Sequence, residues 1–266
     1  MALDDNQLGS FLRSRREKVD AASAGVVHTA RRRVTGLRRE ELALLAGVSP
    51  SYYTRIEQGR DRHPSREVLE ALARALRLDD TERTYLWSLA SPPLVPTGND
   101  LESTVRPGLL RLLERWSDLP AFVVNPARDV LAATALAPRV NPAWSAGHNL
   151  IEFTFLDPRA AQVYPDWNDI SGQAVAGLRA TAGTRATELA PFIADMRRRS
   201  ETFRALWDSH DVYDRVTGDK RLRIEGLGIL RLSFETLAAA GPEGHMLYIY
   251  FPESGSTDDR ALRSLN

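Results

Sequence analysis

Ser49, Ser51, Tyr52, Thr54 and Arg55 crowd into seven residues that open at Ser49-Pro50. Serine followed by proline marks a helix start, because the side-chain oxygen caps a free N–H and the ring presets the first turn. Hydroxyl and guanidinium groups at the front of such a helix can hydrogen-bond base edges in the DNA major groove. Arg38 and Arg39 open the preceding helix, where backbone N–H groups already favour a phosphate, and Arg60 follows the second one. Arg31, Arg32 and Arg33 stand in a row upstream, suited equally to phosphate contact and to a solvated loop. Two short helices meeting at a glycine can also be an ordinary helical hairpin. Glu57, expected on the exposed edge of the helix that opens at Ser49-Pro50, would be repelled by phosphate, so its expected role is to pair with a nearby arginine.

A second set is apolar. Phe122, Val124, Phe153, Phe155 and Trp167 precede Leu178, Trp207 and Tyr248, with Phe234 and Tyr250 of the same character. Each alone reads as core, since aromatic side chains bury much area in any domain; together they are the candidate lining of a ligand pocket. The run Trp207 to Val212 ends a helix and contains His210, whose charged form a helix C-terminus favours and whose cation could hold a ligand carboxylate; a capping histidine is the plainer reading.

Catalysis finds no support in these residues. No cysteine is present, and the five histidines form no HExxH or other metal spacing. No Gly-x-Ser-x-Gly elbow and no Walker loop occur. The expectation is therefore a protein without catalytic residues, metal or cofactor.

The elements that must position these groups follow from periodicity. Leu8, Phe11, Leu12 and Val19 mark a first helix, and a loop runs from about Ala21 to Gly36. A second helix spans Arg38 to Ala46, with Gly47 as its stop; a third runs from Pro50 to Gln58, with Tyr53 and Ile56 inward. A fourth starts at Ser65 and a fifth near Asp79, where Glu82 completes an acidic capping pattern. The proline-rich stretch from Ser91 to Gly98 breaks the pattern. Beyond a helix from Pro107 to Trp116, strands are expected over Ala121 to Asn125 and Val130 to Thr134. Helices follow at Asn149 to Leu156, Asp166 to Ala182, Thr187 to Arg198 and Glu201 to Ser209. Three more strands are expected at Arg221 to Glu225, across Leu230 to Glu235, and at Met246 to Phe251, the last apolar on both faces and hence central. The fold class is an all-α five-helix domain followed by an α+β domain, one five-stranded antiparallel sheet with helices over one face.

The 266 residues carry 35 basic and 35 acidic groups, so net charge implies no partner. The distribution is uneven, however. Thirteen basic and six acidic residues lie between Asn6 and Arg66, leaving 22 basic and 29 acidic elsewhere. An anionic partner for the front end is implied. Without cysteine, and without a run approaching the roughly 18 apolar residues of a membrane span, the expected setting is cytoplasmic.

Leu37-Arg38-Arg39-Glu40-Glu41-Leu42-Ala43, Ala46-Gly47-Val48-Ser49 and Tyr52-Tyr53-Thr54-Arg55-Ile56-Glu57-Gln58-Gly59-Arg60 resemble the XRE-type helix-turn-helix, and with His63-Pro64-Ser65 the MmyB-like transcription regulators. Phe155-Leu156-Asp157-Pro158-Arg159-Ala160, Asp166-Trp167, Phe203-Arg204-x-Leu206-Trp207 and His210-Asp211-Val212 are similar to the ligand-binding domain of the same family. The proline-rich stretch sets the expected division into 1–91, a linker over 92–106 and 107–266, and the resemblance implies that the first is a DNA-binding domain and the last a PAS-like ligand domain. It puts Arg39, Ser49, Ser51, Tyr52 and Arg55 at a double-stranded DNA operator. It also implies a repressor, expected to work as a homodimer, with a fatty-acid-like effector. Arg38 departs from the Ser or Thr cap frequent in the broad class, and Thr134-Ala135 from the family's Trp-Asn or Ala-Asn. A domain serving only for assembly, or an enzyme fused to a DNA anchor, are the competing readings.

Overall fold

Each helix of the N-terminal half begins where a side-chain oxygen can take up a free backbone N–H. In the computed structural model, which describes residues 6–20, 36–90, 104–213, 216–241 and 243–265, these helices are α1 (Gln7–Lys18), α2 (Arg39–Ala46), α3 (Pro50–Glu57), α4 (Arg66–Ala75) and α5 (Asp80–Ala90). Asn6 Oδ1 accepts from Gly9 N at 3.2 Å, Ser49 Oγ from Tyr52 N at 3.2 Å and Ser65 Oγ from Val68 N at 3.4 Å. At α5, Asp79 Oδ1 accepts from Glu82 N at 2.8 Å while Glu82 Oε2 accepts from Asp79 N at 3.1 Å, a reciprocal capping box. Helix α2 has no such oxygen at Arg38; instead the Glu41 carboxylate accepts the Arg38 N–H at 2.6 Å. Gly47, at φ +67°, closes α2 in the left-handed conformation that glycine tolerates best.

Two compact units divide the chain. The first comprises Met1–Val95 with Asp208–Tyr213, and the second Pro96–Trp207 with Asp214–Asn266. Arg31, Arg32, Arg33 and the stretch from Ser91 to Gly98 lie outside the described residues. In the first unit Phe11, Leu12, Leu42, Ala43, Tyr53, Ile56 and Leu72 are fully buried, and the rings of Phe11 and Tyr85 meet edge-on at 5.2 Å. Helices α1 and α3 approach so closely that a Cβ on Gly9 would stand 2.2 Å from the Glu57 carbonyl oxygen.

The second unit runs α6 (Pro107–Arg115), β1 (Ala121–Val124), β2 (Val130–Ala133), α7 (Ala137–Val140), α8 (Leu150–Leu156), α9 (Ala160–Val163), α10 (Trp167–Thr184), α11 (Ala186–Arg199), α12 (Glu201–Asp208), β3 (Thr217–Ile224), β4 (Gly228–Ala238), β5 (Met246–Phe251) and α13 (Thr257–Arg263). The antiparallel sheet has the order β2-β1-β5-β4-β3, so the strand that is apolar on both faces is the middle one, and β3 is an edge. Gly226 and Gly228, both at positive φ, turn β3 into β4.

Three differences from the sequence expectation bear on function. Strand β3 begins at Thr217, four residues before Arg221, because its pairing with β4 continues to Thr217 opposite Glu235. The helices do not keep to one face. Leu136, Val140, Phe153, Val163, Ile170 and Leu262 cover one side, whereas Leu109, Leu112, Leu113 and Trp116 of the α6 region pack on Ala121, Val123 and Leu247 of the other. The apolar stripe of α6 needs a partner, and the face carrying Val123 and Leu247 supplies it. The short helices α7, α9 and α13 have too few turns to show a period and were not expected.

Candidate functional site

Helix α3 sorts its residues by its own period. Tyr53 and Ile56 are fully buried, while Ser51, Arg55 and Gln58, spaced four and three apart, are exposed on one side. Arg55 is 58% exposed and reaches Asp61 at 3.6 Å. Ser49 caps the helix and its Oγ lies 3.2 Å from that of Ser51. Tyr52 is half-buried, and this burial raises its phenol pKa, assisted by Asp61. The Thr54 hydroxyl donates to Pro50 O at 2.8 Å, one turn back, so it is engaged within its own helix. Arg38 and Arg60 are exposed. Gln58 shares the face of Ser51 and Arg55 but was not singled out from sequence; its spacing from them was the available signal.

Beneath this surface Glu57 is all but sealed, its side chain 2% exposed. Arg16 of α1 donates from Nε to Oε2 at 3.0 Å and from Nη2 to Oε1 at 3.2 Å, and spends Nη1 on Leu37 O at 2.7 Å. Arg39 of α2 adds Nε to Oε1 at 2.9 Å and Nη2 to Oε1 at 2.8 Å. Burial opposes the ionised carboxylate, but the hydrogen bonds from Arg16 and Arg39 outweigh it, and the Glu57 pKa falls below its ordinary value. Three helices are thereby tied at one carboxylate; Glu57 pairs with arginine as expected, but as a buried group and not on the exposed edge of the helix. Arg39 is 42% exposed, so a guanidinium fixed by Glu57 also faces solvent.

In the second unit, strand register gathers aromatic rings on one sheet face. Phe122 pairs with Tyr248, and Phe234 with Tyr250. Trp144, 1% exposed, lies across them with its ring 4.2 Å from Tyr250 and 5.1 Å from Phe122. Tyr164 completes the group, accepting from Asn141 Nδ2 at 2.7 Å. Its burial raises the phenol pKa to about 12, with the Lys220 charge working against that rise. The Lys220 ammonium donates to the Tyr250 hydroxyl at 3.2 Å and sits 5.0 Å from the Phe234 ring centre. Among the described residues no group of three or more His, Cys, Asp or Glu could hold a metal ion, and no helix is long and apolar enough to cross a membrane.

Two family models match the sequence. Residues 7–86 match a helix-turn-helix domain, and residues 105–265 match the MmyB-like transcription regulator ligand binding domain. The chain belongs to the MmyB-like transcription regulators. No curated protein matches it.

This MmyB-like regulator thus carries a DNA-binding module and a ligand-binding module, and the rings just described belong to the latter. Of the residues picked out from sequence for a pocket, Phe122, Val124, Phe153, Trp167 and Tyr248 share one apolar cluster. Phe155 and Trp207 pack around Phe203, at 5.3 and 5.9 Å, where the Arg179 guanidinium covers the Trp207 ring at 4.1 Å, and Phe155 also meets the Trp167 ring edge-on at 6.1 Å. Leu178 is fully buried in α10, outside the first cluster. His210 is a member of neither. It belongs to Asp208–Tyr213, in the first unit, takes a left-handed φ of 57°, and its carbonyl accepts from Arg15 Nη2 at 2.6 Å. That backbone supports the helix-terminating reading of His210. Trp144, Tyr164 and Lys220 are the members of the regulator's aromatic group that sequence reasoning missed.

Proposed function

We propose that this regulator is a repressor whose α3 lies in the major groove of its operator. Ser51, Arg55 and Gln58 then face base edges, with Ser49, Tyr52 and Thr54 at the groove wall, while Arg38, Arg39, Arg60 and the Arg31 to Arg33 run take phosphates. The observation that carries this reading is the exposed side of α3: side chains able to hydrogen-bond bases stand on a helix whose other side is locked into the core. The protein acts as a homodimer, because two recognition helices on half-sites about 34 to 36 Å apart gain affinity that one cannot supply. The ligand domain takes a fatty-acid-like molecule, whose binding alters operator occupancy through its different affinity for the free and DNA-bound forms.

Retained genomic fragments identify the operator, and electrophoretic shifts on it test the face. Arg55→Ala relaxes preference at one base position, costing about 1 to 3 kcal/mol, whereas Arg38→Ala weakens all sequences alike. Shifts unchanged by Arg55→Ala and Ser51→Ala together reject the assigned face.

A further inference from the structure

The ligand-binding domain match runs from residue 105 to 265, yet Asp208–Tyr213, which lies inside it, belongs with the DNA-binding unit. The chain leaves the second unit after Trp207 and rejoins it beyond Tyr213. In between it is fastened to α1. Ser14 Oγ donates to Ser209 O at 2.9 Å, and Lys18 Nζ donates to the same oxygen at 3.1 Å. Arg15 Nη2 donates to His210 O at 2.6 Å and to Asp211 Oδ1 at 3.1 Å, and the Lys18 ammonium pairs with that carboxylate too. Ser209 Oγ donates to Asp211 Oδ2 at 2.9 Å, which braces the acid from within its own segment.

Local chemistry explains the fastening. Carbonyls just past the end of α12 lie beyond its hydrogen-bonding ladder, and α1 gathers Arg15, Arg16 and Lys18 in its last turn. His210 takes a left-handed φ of 57°, uncommon for a residue with a side chain and kept where the surroundings fix it. Partial burial opposes the ionised Asp211, but hydrogen bonds from Lys18 and Ser209 outweigh it, and its pKa falls below the ordinary value. The same helix seats the recognition helix. Arg16, between Arg15 and Lys18, holds the Glu57 carboxylate at the end of α3, and Gly9 lies against the Glu57 carbonyl oxygen.

We propose that Ser209–Asp211 is a strap through which the ligand-binding domain controls the DNA-binding unit: fastened, it holds α1 against α3 and favours operator binding, and its release lowers operator affinity. The inference rests on the operator reading of α3 above and adds the route by which the two modules communicate. The test uses full-length protein and operator duplex with no effector, because coupling is reciprocal, so DNA binding must in turn tighten the strap. Hydrogen exchange in the peptide covering Glu201–Tyr213 slows on operator addition in wild type and responds less in Asp211→Asn. In electrophoretic shifts, Asp211→Asn loses a negative charge and would by electrostatics alone bind DNA more tightly; the strap makes it bind about five-fold more weakly. Glu201→Gln, which neutralises a 90% exposed acid outside the strap, is the charge-only control and binds no more weakly than wild type. Circular dichroism melting establishes that the variants fold. Ser14→Ala removes a strap bond without changing charge and weakens binding in the same direction, so it carries the test should Asp211→Asn be unfolded. Operator binding by wild type with exchange over Glu201–Tyr213 unchanged, or folded Asp211→Asn and Ser14→Ala that bind as tightly as wild type, overturns the strap and leaves the reading of α3 standing. Absence of operator binding by wild type overturns both.

Discussion

A single carboxylate decides how α1, α2 and α3 are held. Because Glu57 is buried with its charge satisfied by Arg16 and Arg39, removing it strands a buried guanidinium. Glu57→Ala is expected to lower stability by about 3 kcal/mol, read as faster hydrogen exchange in the peptide spanning α3. The pH dependence has a definite sign. The folded-state pKa of Glu57 lies below the unfolded value of 4.5, so its contribution is complete above 4.5 and is lost as pH falls through the folded value. Wild type therefore loses protection of α3 on acidification in that window, and the Ala variant shows a flatter profile. Arg39→Ala should lower both stability and operator affinity, whereas Arg55→Ala, on an exposed side chain, should change affinity while exchange in α3 stays at the wild-type level.

At the scale of elements, close approach is as demanding as charge. Gly9→Ala puts a methyl against the Glu57 carbonyl and is expected to cost about 1 to 3 kcal/mol by forcing α1 away from α3, visible in denaturant unfolding of the first unit. Ser49→Ala removes the N-cap of α3 for about 1 kcal/mol and should fray its first turn. The elements differed in how openly the sequence declared them. Ser49-Pro50, Gly47 and the Asp79 with Glu82 pair announce boundaries through chemistry that works locally, and they fall where expected. Lys220 was hidden, because it lies before the start expected for the strand at Arg221, and only pairing to Leu232 reveals its inward side. Trp144 was hidden for a similar reason: it lies in a stretch without period, and its place against Tyr250 is fixed by contacts distant in sequence. Phe155 and Trp207 were legible as aromatics of the domain but not as partners of Phe203, since residue type says nothing of which neighbours a helix face meets.

For the molecule as a whole, the seven-charge excess of the segment from Asn6 to Arg66 is balanced elsewhere in the chain. A neutral protein with one cationic module should bind operator DNA with an affinity that falls steeply with salt, the slope counting the phosphates neutralised. Removing one phosphate-contacting arginine reduces that slope by about one, and titrations of wild type and Arg38→Ala across a salt series test this. Multi-angle light scattering of free and operator-bound protein tests the dimer; one chain on one half-site would contradict it.

The outermost strand of the sheet has one more effect. Thr217–Ile224 offers eight residues of edge backbone to any passing polypeptide, yet the exposed Arg221 and Arg223 stud it with positive charge. A second molecule laid alongside in the same way would set these cations against their own copies. The sheet thus ends in a rim that repels its like, which guards a crowded protein against fibrillar stacking.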